Sequence, residues 1–299
     1  MPKENTHAAF AHTVLDQIGN AALKRCVSSW IGAYLLGAVS PDTFYYSPYA
    51  HVSERLHGKA GTPTNELLPD LLQAPREMRD VAFACGYLSH CALDIVFHPM
   101  IYYLSGNYYD PDARQRARAV YRHRHLETCM DISIGNRVRI HGLLRAGMVE
   151  GSAFERYIAG TFALAPAAIR RAYRAQLFYN RAFASPAAWL LARVLLAAGL
   201  MRDPNARGLF YGDCRDDGND PFSGVIGYRD LLQGDEIVST VPTLLRAARQ
   251  KATSMIQAAW SYTQGAISLA DLLSAVPGES LDTGKVHAPV ESIRHLMKG

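Results

Sequence analysis

Between residues 83 and 131 the chain reads FACGYLSHCALDIVFHP and then YRHRHLETCMD. His90, Asp94 and His98 recur at four-residue intervals; His123 and Glu127 repeat the interval, and Asp131 lies four further on. In an α-helix, residues i and i+4 stack on one face, so such a pair can close on one cation without bending the backbone. Imidazole and carboxylate together suit a borderline-soft divalent ion such as zinc. Five ligand-type residues on two helices predict more than one ion. A single HxxxD or HxxxE pair arises readily by chance. Two pairs joined by a short loop carry more weight. The first pair also sits among Phe83, Tyr87, Leu88, Leu93, Ile95, Val96 and Phe97, and a carboxylate buried there needs a strong partner.

Earlier segments supply further ligand types. Thr6 is placed to cap a helix with His7 in its first turn. The run Gly37-Ala38-Val39-Ser40-Pro41-Asp42 ends an apolar helix in a turn and presents Asp42 beside Tyr45 and Tyr46. His57 opens a Gly/Pro/Thr loop, with His51 as its competitor; His125 competes likewise with His123. Singly, His7 reads as a surface residue, Asp42 as a turn former and His57 as a loop residue. Their force is combinatorial.

The combination resembles the bacterial zinc-dependent phospholipase C family. The matching landmarks are TH at 6–7, GAVSPD at 37–42, LHG at 56–58, GYLSHCALD at 86–94 and HRHLETCMD at 123–131, with DPFSG at 220–224 as a weaker one. The resemblance runs from about residue 6 to 262. It implies an all-α domain with a trinuclear zinc site at the bottom of a cleft, similar in fold to single-strand-specific zinc nucleases. By that resemblance Asp42, His57, His90 and Asp94 hold one ion, and His98, His123 and Glu127 a second. His7 contributes to a third, with Asp94 as the bridging carboxylate, so two or three zinc ions are expected. Asp42 is also the implied general base, and Tyr45 and Tyr46 are candidates for holding a headgroup or a base. The chain departs from secreted members in lacking a Trp before His7, and His98 follows Asp94 by four residues instead of six.

The implied chemistry is hydrolysis of a phosphodiester, since a divalent ion acidifies water and offsets charge on phosphoryl oxygens. No GxSxG, GxxxxGK[ST] or GxGxxG motif competes. The favoured substrate is a phospholipid, with a nuclease or other phosphodiesterase as alternative; a non-catalytic metal-bound interaction module is the alternative of another class. Peripheral contact with a membrane is allowed for, and no protein partner is implied.

At 299 residues and 49% hydrophobic content the chain can bury a large core, with a net charge of only +4. The expected organisation is one multi-helix domain over 1–276 and a loose tail over 277–299. Helical periodicity spans 8–18, 21–37, 65–73, 76–104, 112–145, 152–163, 166–183, about 240–263 and 267–275. Pro186 opens a further apolar helix, too short to span a bilayer and read as a core helix, with an interfacial membrane helix as the alternative. Residues 199–228 read as a polar loop; its DCRDDGND segment lacks the ligands of a calcium loop. Arg114, Arg116, Arg118, Arg122 and Arg124, then Arg137, Arg139 and Arg145, read as solvated faces, with a surface attracted to anionic lipid or phosphate as the alternative. Five Cys without CxxC spacing imply no disulfide framework. The N-terminus lacks the apolar run of a secretory signal, which leads to the expectation of a cytoplasmic protein.

Overall fold

A computed structural model describes residues 3–73, 77–108, 110–134, 138–217 and 221–297. Among the described residues the protein is all-α apart from one two-stranded hairpin. In chain order the helices are α1 (Glu4–Gln17), α2 (Ala21–Ser29), α3 (Ile31–Val39), α4 (Ala50–Leu56), α5 (Leu68–Leu72), α6 (Met78–Ser105) and α7 (Ala113–Ser133). There follow α8 (Ile140–Leu143), α9 (Ala153–Phe162), α10 (Pro166–Phe183), α11 (Pro186–Ala197), α12 (Tyr211–Asp217), α13 (Val241–Thr263) and α14 (Leu269–Ala275). Strands β1 (Ile226–Arg229) and β2 (Glu236–Ser239) pair antiparallel, with Ile226 opposite Ser239.

The long α6 is the axis of the fold, with α1, α3, α5, α7 and α13 packed around it. It is buried on nearly every face, as expected for a helix apolar all round. By length and hydropathy it could cross a membrane, but 94% of the relevant window is covered by the protein itself, which makes it a core helix.

Helices α3 and α6 touch backbone to backbone. A Cβ on Gly37 would strike the carbonyl oxygen of Phe83, and a Cβ on Gly86 would strike that of Tyr34. Only glycine permits this approach at both positions. It sets the Ala38 carbonyl 2.9 Å from His90 Nδ1. Directly after α3, Pro41 begins a 3-10 turn over Ser40–Tyr46 that carries Asp42 inward.

Several expectations are corrected. Thr6 does not cap α1, which starts at Glu4 with Lys3 at the N-cap; Thr6 lies in the first turn and is held by Asp131. The helix expected over 112–145 ends at Ser133. The polar loop over 199–228 contains α12 and β1. Cys129 and Cys214 form a disulfide joining α7 to α12, a pairing 85 residues apart that spacing alone does not reveal. Helix α11 buries only Ala192, so it is no core helix. The tail is not loose where it meets the core: Leu281 is fully buried, and Ser280, Asp282 and Thr283 are buried with it. Arg114, Arg116 and Arg118 are exposed, while Arg124 pairs with Asp203 at 2.6 Å. Arg137 and Asp220 lie outside the described residues.

Candidate metal centre

Eight side chains from five parts of the chain converge beneath a cleft. His7 comes from α1, Asp42 from the turn after α3, and His57 from the C-cap of α4. His90, Asp94 and His98 come from three successive turns of α6, and His123 and Glu127 from α7. All eight are buried. Asp94 lies at the middle. Its Oδ2 is 2.9 Å from His90 Nε2 and 3.6 Å from His57 Nε2. Its Oδ1 is 3.3 Å from His7 Nε2 and 3.8 Å from His98 Nε2. Asp42 Oδ1 lies 3.2 Å from His57 Nε2 and 3.8 Å from His90 Nε2. On the far side of Asp94, Glu127 Oε1 is 2.8 Å from His123 Nε2 and 3.9 Å from His98 Nε2.

The histidines are oriented from behind. His57 Nδ1 donates to Ser53 O at 2.6 Å, His90 Nδ1 to Ala38 O at 2.9 Å, and His98 Nδ1 to Leu281 O at 2.7 Å. A carbonyl only accepts, so each Nδ1 carries a proton and each Nε2 is the atom that faces the cluster. His7 has no such bond; its ring stacks on His90 at 3.7 Å between centroids, nearly parallel.

The arrangement fits divalent cations. Among the described residues, His57, His90 and His98 Nε2, both ring nitrogens of His7, Asp42 Oδ1 and both oxygens of Asp94 are buried without a satisfactory hydrogen bond. So many orphaned polar atoms converging in one place are too costly to be a resting arrangement of neutral groups. Each set His7–Asp42–His90, His57–His90–Asp94 and His98–His123–Glu127 brings one ligand atom per residue within 4.8 Å of the others.

Charge follows the same logic. Burial pushes the Asp94 carboxyl up, but His98, His90, His7 and His57 around it outweigh burial and hold it well below the usual carboxylate range. Burial lowers His98, His123 and His7, which favours the neutral form that ligates metal. His57 is the exception: burial opposes its charge, yet the Asp42 and Asp94 carboxylates push the imidazole up to about 10.

The competing histidines lie elsewhere. His51 is exposed and faces Phe162. His125 is turned to Asp213, 3.0 Å from its Nδ1, and to Cys129. Asp131 continues the four-residue rhythm but serves the chain, not the centre. It accepts from Thr6 N at 2.6 Å, Thr6 Oγ1 at 2.9 Å and Asn5 Nδ2 at 3.0 Å, and Tyr211 also donates to it. It thereby fixes the turn from which His7 projects.

Two participants escaped the sequence reading. Leu281 accepts from His98 and donates its own N–H to His57 O at 3.0 Å, so one residue braces two histidines. Asp282, raised by burial, receives a hydrogen bond from Tyr102 and lies 3.8 Å from His98 Nδ1. Backbone groups have no sequence signature, and Asp282 belongs to no spaced pair.

The cleft above the cluster has a volume of about 770 Å³. Asp42, His123, Glu127 and Asp282 line it, as do Tyr45, Tyr46, Tyr179, Phe183 and Phe210. Tyr46 stacks on Tyr179, and burial followed by the nearby Glu4 carboxylate keeps its phenol well above its ordinary value.

No curated protein and no solved structure matches the chain. The sequence profile of the zinc-dependent phospholipase C family, however, matches residues 6–177, which span all eight clustered side chains. With more than half of its length under that match and imidazoles and carboxylates gathered on one buried point, the chain belongs to the zinc-dependent phospholipase C family.

Proposed function

We propose that this protein hydrolyses phosphodiesters at a zinc centre, cleaving a phospholipid on the glycerol side of phosphorus. The observation that carries the reading is the set of orphaned, pre-oriented Nε2 and carboxylate atoms at the base of an aromatic-walled cleft. One ion is assigned to Asp42, His57, His90 and Asp94, and a second to His98, His123 and Glu127. A third is assigned to His7 with Asp94, whose two oxygens already face different histidines. Bound there, such ions supply Lewis acidity that makes water a nucleophile near neutral pH and offsets charge on the phosphoryl oxygens.

The chain's own groups supply position. Asp42 is a carboxylate of the centre that also lines the cleft, as Glu127 does, and the cleft wall includes Tyr45; the Asp42 carboxylate is assigned to orient the attacking water and take its proton. Asp94 is wholly buried and is left to hold the centre together. Tyr45, 40% exposed at the mouth, and Tyr46 within the wall are assigned to the substrate's glycerol and headgroup.

The test is a panel of phosphatidylcholine, bis-p-nitrophenyl phosphate and single-stranded DNA, each with chelated and zinc-loaded protein, alongside elemental analysis. Zinc-dependent release of diacylglycerol with at least two ions per chain is the expected result. Preference for DNA would make the protein a nuclease. No turnover with zinc fully bound would make it a non-catalytic module. Asp42→Asn is expected to lose at least about a hundredfold in turnover while keeping most zinc, whereas Asp94→Asn loses both together.

A further inference from the structure

Helices α10 and α11 carry a surface that the fold leaves uncovered. On α10, Arg171, Arg174, Phe178 and Arg181 lie at i, i+3, i+7 and i+10, which is one face of the helix, and all four are exposed. Phe178 is 66% exposed. On α11, Leu190, Leu191 and Val194 share a face and are 63%, 59% and 58% exposed, and Leu200 just beyond the helix is 70% exposed. Isolated exposed leucines are ordinary on a soluble protein; a group of them on one helix face is not.

From Arg156 to Arg202 the chain has seven Arg and no Asp or Glu. Arg156, Arg170 and Arg193 pair with Asp80, Glu155 and Asp216 from other segments, so the basic stripe itself is Arg171, Arg174 and Arg181 on α10. A basic stripe beside an apolar ridge is the pattern that seats a helix in the headgroup region of a bilayer, with arginines on phosphates and apolar side chains among the upper acyl carbons. The two helices that carry this surface also reach the cleft wall. Trp189 of α11 packs on Phe210 at 5.6 Å, and Phe210 packs on Phe183 of α10 at 5.1 Å; Phe183 and Phe210 line the cleft wall together with Met201. A lipid surface seated on α10 and α11 would therefore lie at the cleft's own rim.

From this we infer that α10 and α11 form a docking face for anionic phospholipid membrane, which delivers lipid into the cleft above the metal centre. A second copy of the chain is a poor occupant, because a two-fold axis through the face would set one arginine stripe against another. The inference rests on the lipid reading of the cleft for its purpose, but not for its test.

The experiment is co-sedimentation of zinc-loaded protein with phosphatidylcholine vesicles, with and without phosphatidylglycerol, at two salt concentrations. Two double variants probe the face: Leu190→Asp with Leu191→Asp, and Arg171→Glu with Arg174→Glu. Arg25→Glu with Arg246→Glu, both exposed on other helices, makes the same change in charge elsewhere. Wild type is expected to sediment with the anionic vesicles, less so at high salt. Each face variant should lose at least about tenfold in partition, and the control pair under about threefold. Hydrolysis of the soluble bis-p-nitrophenyl phosphate, and the melting temperature, should be unchanged in all of them.

Wild type remaining in the supernatant, or face variants that sediment like wild type, would overturn the inference. So would a lipid-free dimer that the leucine variant converts to monomer, which would assign the face to copies of the chain. Vesicle binding without any lipid hydrolysis would sustain the docking face and defeat the phospholipase reading; hydrolysis of dispersed lipid without vesicle binding would do the reverse.

Discussion

At the scale of single residues, the centre works by division of labour between carbonyls behind and lone pairs in front. Ser53, Ala38 and Leu281 hold the Nδ1 protons of His57, His90 and His98, so no histidine must rearrange its tautomer to take a cation. Without cations, opposite charges must fill in, and this gives a pH signature. The Asp94 carboxyl is held below its ordinary 3.8, so its contribution to stability is present above that value and fades as pH falls further. His57 is raised from 6.5 to about 10, so its contribution is full below pH 6.5 and fades as pH rises toward 10. Chelated protein should therefore lose melting temperature steadily between pH 6.5 and 10. Zinc-loaded protein should hold its own over the lower part of that range, because the ion replaces the proton. Parallel thermal melts check this; two curves that fall together would mean that His57 is not where the ion sits. Asp131 gives a second test. Asp131→Ala leaves Thr6 N–H and Asn5 without their acceptor, a loss of about 1–3 kcal/mol for a buried donor. Because the same turn carries His7, zinc content should drop by about one ion per chain, with the remaining ions retained.

At the scale of elements, the decisive contact is the crossing of α3 and α6. The two glycines that let their backbones meet, Gly37 and Gly86, each open a segment that carries ligands: Asp42 follows the first, and His90 and Asp94 follow the second. A methyl group at either position must push the helices apart, because its obstacle is backbone and not a movable side chain. Gly37→Ala and Gly86→Ala should each destabilise by about 1–3 kcal/mol or more in denaturant titration, and both should weaken zinc retention by moving Ala38 O away from His90. Gly160→Ala in α9 is the control. That position is exposed and an added Cβ meets nothing within 4 Å, so replacement should be neutral or stabilise by up to about 1 kcal/mol. Equal behaviour of all three variants would show that the close crossing is not what holds the centre.

At the scale of the whole molecule, the centre is closed by the end of the chain. Leu281, fully buried, touches two histidines that lie 183 and 224 residues earlier in sequence, the first through its carbonyl and the second through its N–H. Truncation after residue 277 removes that brace, the buried Leu281 side chain and Asp282. A chain ending there should melt at lower temperature and release zinc to a chelator at least about tenfold faster, since loss of a group that orients a ligating histidine typically costs about 10–100-fold in metal affinity. If truncation leaves zinc release unchanged, the carbonyl of Leu281 does not orient His98. The disulfide between Cys129 and Cys214 ties α7 to α12 and includes none of the eight clustered side chains, so mild reduction should lower thermal stability without releasing zinc.

The i,i+4 rhythm of α6 and α7 is a local property: the helical period places His90 beneath Asp94, and His123 beneath Glu127, before any neighbour is present. For that reason the paired ligand types, the all-α class and most helix limits were legible in the residues alone. Which histidine of a close pair faces inward was not. His123 and His125 share a helix, and only the packing of α7 against α6 and α12 brings the first, with Glu127, to His98 and the second to Asp213. The same holds for His57 against His51, for the Cys129–Cys214 pairing, and for α11, whose apolar run reads like a core helix until its leucines are found uncovered. Bonded neighbours set geometry within a turn or two of helix, whereas contacts across the chain are set by the free energy of packing every element at once. A backbone carbonyl such as that of Leu281 acquires its role solely through that packing, since nothing in its side chain announces it.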